Sequence, residues 1–82
     1  MTLELYREVA LSRDLPEHDL KAGDIAVLVD FVPHPSGGEE GCVLEVFNAV
    51  GESIKTIAVP VSAVETLRPD EILTVRPFAD VS

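Results

Sequence analysis

Two short stretches gather the side chains that could do chemistry. In "PHPSGGEEGC", residues 33–42, His34, Glu39, Glu40 and Cys42 supply an imidazole, two carboxylates and the only thiol. That set could hold a metal ion or pair a nucleophile with a base. In "LPEHDLKAGD", residues 15–24, Glu17, His18, Asp19 and Asp24 resemble an acid–base cluster around the second imidazole. Neither stretch carries its chemistry far. Gly37, Gly38 and Gly41 loosen the first, so converging four ligands would cost much ordering entropy. Zinc sites pair His or Cys at short intervals, whereas each of these loops has one histidine. Cys42 opens an alternating run with Leu44 and Val46 on its inward side, where a free cysteine packs as a small hydrophobe. Glu39 and Glu40 beside it oppose a thiolate. The serines at 12, 36, 53, 62 and 82 sit in no nucleophile-elbow setting, and no glycine-rich phosphate loop is present.

The plainer reading makes residues 34–41 a hydrophilic hairpin tip that folding does not need, because nothing in it is apolar enough to dock. The second stretch reads as a solvated loop, preorganised by Pro16 and turned into a strand by Gly23. No catalytic residue, metal ligand or cofactor is expected. A small enzyme or metal-dependent subunit using His18, His34 and Cys42 is the alternative.

Alternation defines the elements around these loops. "IAVLVDFV" (25–32) puts Ile25, Val27, Val29 and Phe31 on one face and Ala26, Leu28, Asp30 and Val32 on the other. "CVLEVF" (42–47) and "SIKTIAVP" (53–60) alternate likewise, and "NAVGE" between them has the Asn and Gly of a tight hairpin. "EVALS" reads as a first strand, Leu15 and Leu20 as anchors of the long loop, and "VSAVETL" as one helical turn with Ser62 as N-cap and Glu65 three positions on. "EILTVRP" (71–77) supplies the last strand. The whole describes one all-β domain over residues 1–82, a small SH3-like barrel of about five short strands with one helical turn before the last strand. The competing arrangement is an open three-stranded sheet with "LELYREVAL" as a helix.

Composition bounds the function. A chain of 82 residues buries only about 60% of the surface it exposes when unfolded, which leaves little stability to spare for a strained active site. Fifteen acidic against six basic residues give a net charge of −9. The basic residues are scattered, so nucleic acid is not an expected partner. With no secretory h-region and no long apolar run, the chain reads as soluble and cytoplasmic, without a membrane partner, and the lone cysteine fits a reducing compartment.

The segments 5–32 and 44–51 resemble a small bacterial family called domain of unknown function 4926. The resemblance rests on Val9, Ala10 and Leu11, on Asp14, Leu15, Pro16 and Glu17, on Leu20, Lys21, Gly23 and Asp24, and on Leu44, Glu45, Val46 and Gly51. It departs at Ala26, where the family commonly has Gly, and in a longer loop at 33–41. The resemblance implies an SH3-like fold and a partner-binding module, some of whose relatives look like accessory pieces of toxin and antitoxin systems. It implies no catalytic residue.

The expected function is a non-enzymatic, acidic protein-interaction module for a co-expressed protein partner, for which a basic surface is the natural complement. Contacts are assigned to Glu17, His18 and Asp19 in the long loop and to a patch of Tyr6, Phe47 and Val59. No Trp and only one Tyr are present, so the aromatic groove that binds proline-rich peptides is not expected. Apolar side chains left outside, Val43, Phe47, Val59 or Val61, suit a homodimer.

Overall fold

The computed structural model describes residues 3–34 and 36–78. The alternating stretches form β1 (Glu8–Leu11), β2 (Ile25–Val32), β3 (Gly41–Phe47), β4 (Ser53–Pro60) and β5 (Val64–Thr66), with single 3-10 turns at Pro16–His18 and Val61–Ala63. The strands pair antiparallel in one sheet ordered β4-β3-β2-β1-β5. The protein is all-β and barrel-like. One sheet can enclose a core only by curling, and a single buried cluster draws on every strand: Val9 and Leu11, Leu28, Leu44, Ile57, and Val64.

The curl has a local cause in β2. Leu28 stands opposite Leu44, but Asp30 stands opposite Val43 and Phe31 opposite Cys42, so Val29 is the extra residue of a β-bulge. Before the bulge Ala26 and Leu28 face the core; after it Phe31 packs there. Strict alternation, which groups Phe31 with Ile25, Val27 and Val29, is corrected by this slip.

Turn chemistry sets the connections. In the β3–β4 hairpin Asn48 Oδ1 accepts the N–H groups of Val50 and Glu52, and Gly51 takes φ 88°, a left-handed value that glycine adopts without strain. In the β1–β2 loop Leu15 and Leu20 are buried, as expected of its anchors, and they also bridge to each other.

Two expected elements differ. Ser62 is no N-cap: Pro60 precedes the Val61–Ala63 turn, no side chain caps it, and Glu65 lies in β5. Residues 71–77 form no strand either. The free side of β1 is taken by Val64–Thr66, which reaches it straight from the turn and pairs Leu11 with Val64 and Val9 with Thr66. A second strand-former arriving later finds that edge occupied.

The Val61–Ala63 turn is clasped on two sides. Ser12 N–H donates to the Ala63 carbonyl (2.8 Å) and Ser12 Oγ to the Ser62 carbonyl (2.8 Å), which ties the turn to the end of β1. From the β2–β3 loop, Glu39 Oε2 accepts the Ser62 N–H (2.6 Å) and the Glu40 carbonyl accepts the Val61 N–H (3.0 Å). Residues 34–41 are therefore not dispensable as a block. Their glutamates bond the turn that bridges β4 and β5, and Gly41 belongs to β3, paired with Val32 and Pro60.

Candidate functional site

The alternation that buries Val9, Ala26, Leu28, Leu44 and Ile57 turns their neighbours outward. Ladder pairing joins those neighbours into rows. Glu8 stands beside Val27, Val27 beside Glu45 and Glu45 beside Thr56, one row across four strands. A second row runs Asp30, Val43, Ala58. On the β5 side, Ala10 lies between Ile25 and Glu65. Val27 and Val43 are half-buried, while Val32, Phe47 and Ile54 are exposed. The paired positions of this face hold four carboxylates, Glu8, Asp30, Glu45 and Glu65, and no Lys or Arg. Ser53 Oγ donates to Glu45 Oε2 (2.8 Å) and orients that carboxylate. The outer face thus alternates half-buried valines with carboxylates and does not form an unbroken apolar strip.

Of the expected contact patch, Phe47 lies on this face, at the end of β3. Tyr6 is exposed at φ 65° and its N–H bonds the Leu28 carbonyl. Val59 must be removed from the patch. It pairs with Cys42 and shares that residue's inward side, at 6% exposure, so it is core and unavailable to a partner. Val61 also packs against the core. The chemistry-bearing residues are not gathered. Cys42 is fully buried, with burial first and the nearby Glu40 and Glu39 charges next pushing its thiol up. His34 is exposed in the β2–β3 loop, and His18 closes the Pro16–His18 turn half-buried. Among the described residues, no group of three or more His, Cys, Asp or Glu is placed to hold a metal ion.

The β1–β2 loop does hold charge. Glu17 is exposed in its turn, and Asp19 ends the turn at φ 59°. The His18 carbonyl accepts Lys55 Nζ (2.9 Å), and the Asp19 carbonyl accepts Arg76 Nη2 (3.4 Å). Arg76 grips Asp24 with two parallel bonds, Nε to Oδ1 (2.8 Å) and Nη2 to Oδ2. This fork geometry is the strongest form of the guanidinium–carboxylate pair. It escaped the sequence reading, since its members are 52 positions apart; a lone arginine closing an aliphatic run was the available signal.

Burial acts to raise the Asp24 carboxyl, but the hydrogen bonds from Arg76 and Lys21 and the charges of both residues overcome it, and the net direction is down from 3.8. Hydrogen bonds from Ser62 likewise hold Glu39 below 4.5. A depressed folded-state pKa stabilises above the unfolded value, and that contribution is lost as pH falls through the folded one. The thermal midpoint should therefore drop as pH is lowered below about 4, and Asp24→Asn should flatten that acid limb. An acid limb unchanged by Asp24→Asn in a pH series of thermal scans would rule this out.

Comparison with protein-family profiles, with curated proteins and with solved structures finds no match. No helix is long and apolar enough to cross a membrane among the described residues.

Proposed function

We propose that the protein is a non-enzymatic SH3-like interaction module that docks a basic protein partner on the outer face of its sheet. One observation carries the reading: the rows through Val27 and Val43 offer aliphatic area for burial, while Glu8, Asp30 and Glu45 stand among them with no Lys or Arg at a paired position, and only Glu65 feels a nearby cation, Arg68. The helical turn before β5 and the strand order support the SH3-like assignment. The resemblance to domain of unknown function 4926 supports a partner encoded beside this chain, and the buried free thiol of Cys42 suits the cytoplasm. Two-fold pairing of the same face would set four carboxylates against four. Salt therefore separates the occupants, because a cationic partner is released as ionic strength rises whereas a homodimer is strengthened.

The test is capture of the co-expressed partner by the wild type and by Val43→Lys/Glu45→Lys, at low and physiological salt. The wild type should retain a basic protein, and the variant should weaken retention at least about tenfold, the equivalent of ~1.4 kcal/mol, with its thermal midpoint kept. Equal retention by both proteins, or no retained protein at any salt, would sink the reading.

A further inference from the structure

The acceptors that grip Arg76 are held by bonds within their own loop. Asp24 is the last residue ahead of β2; its N–H bonds the Lys21 carbonyl (3.0 Å) and its own carbonyl accepts the Leu11 N–H (2.9 Å). Its Oδ2 also accepts the Lys21 N–H (2.8 Å), which aims the carboxylate, and the side chain is only 19% exposed. The Asp19 carbonyl points to the same guanidinium from the left-handed end of the Pro16–His18 turn. Both acceptors lie in the β1–β2 loop, and the bonds that orient Asp24 come from Leu11 and Lys21, not from residues 71–78.

The segment that brings Arg76 is held far less. Residues 71–77 join no strand, and Ile72, Leu73 and Val75 are 87%, 57% and 88% exposed. Among the described residues, the hold at this end besides Arg76 is Lys55 Nζ over the Phe78 ring at 5.7 Å, with local Arg68 bonds to Glu71 at the start of the segment. An aliphatic run so open to water gains little by staying where it is.

We propose that Asp24 and the Asp19 carbonyl form a binding site for an arginine-bearing peptide segment of a partner, and that the chain's own Arg76-Pro77-Phe78 fills it as a displaceable stand-in. The site selects arginine over lysine, because two parallel bonds need the planar fork. Being tethered, the stand-in acts at a high effective concentration and keeps weak ligands out. The site is separate from the outer sheet face, so either reading can fail alone.

The probe is the blocked synthetic peptide Leu-Thr-Val-Arg-Pro-Phe, titrated into the full-length protein and its full-length Arg76→Ala variant while backbone amide shifts are followed. The peptide should bind the variant at least tenfold more tightly than the wild type and move the amides of Asp19, Lys21 and Asp24. Val43→Lys should leave this binding unchanged. Replacing the peptide's arginine by lysine should weaken it, and adding Asp24→Asn to the variant should abolish it. A folded variant that does not bind the peptide, or binds it no better than the wild type, overturns the proposal. So does a variant that unfolds, because Arg76 would then be part of the fold and not a stand-in.

Discussion

Leu44→Ala is expected to remove about 3 kcal/mol of stability and to lower the thermal midpoint by roughly 12–24 °C. Leu44 has no exposed surface and sits at the middle of β3, directly opposite Leu28 on one side and Ile57 on the other. All three side chains belong to the one buried cluster. The cavity would open at the centre of a single curled sheet, where there is no second layer to collapse into it. A domain of this size has roughly 4–12 kcal/mol to lose. Cys42 offers a second readout, since its fully buried thiol should resist labelling in the native state and become reactive in proportion to the unfolded fraction. A midpoint within about 4 °C of wild type, the shift of ~1 kcal/mol or less, would show that the sheet does not close around Leu44.

The second large effect is expected from adding atoms. Ala63 is fully buried in the turn between β4 and β5, and its carbonyl accepts the Ser12 N–H. Ala63→Leu forces three more carbons into a point held from β1 and from the β2–β3 loop, so neither side can yield without breaking those bonds. Overpacking of this kind costs about 1–3 kcal/mol, and the midpoint should fall by roughly 4–24 °C. The neighbouring Ser62→Leu is the control. Ser62 is exposed, and its N–H and carbonyl bonds are ones any residue supplies, so replacing it loses only its hydroxyl's bond to the Glu39 carboxylate and should cost well under what Ala63→Leu does. Equal effects at both positions would show that the turn is only a linker.

The three-stranded centre was legible because its residues obey the period of two: Cys42, Leu44 and Val46 face inward as their alternation requires, and Asn48 and Gly51 make the hairpin they suggest. Leu15 and Leu20 were legible as lone aliphatic anchors in a polar loop. The bulge at Val29 was not, because one extra β-branched residue in a β-branched run leaves no mark on composition. The last strand was misplaced for a related reason. Ile72, Thr74 and Val75 have strand propensity equal to that of Val64 and Thr66, and what decides between them is which segment meets the free side of β1. The patch built on Val59 failed on register, since only the Cys42–Val59 pairing says which way that valine points. Glu39 on Ser62 and Arg76 on Asp24 join distant segments, and no local pattern announces either.

The run from Ile72 to Val75 is exposed, mostly aliphatic and outside every ladder of the sheet. That is the form in which a chain enters the cleft of a protease, with no strand to be peeled away first. A cut there would sever Arg76 from the domain and leave β1 to β5, the core cluster and the Asp24 carboxylate where they are. On the proposed reading of the Asp24 site, limited digestion would act as maturation rather than decay, turning a self-occupied site into a vacant one by a covalent and irreversible step.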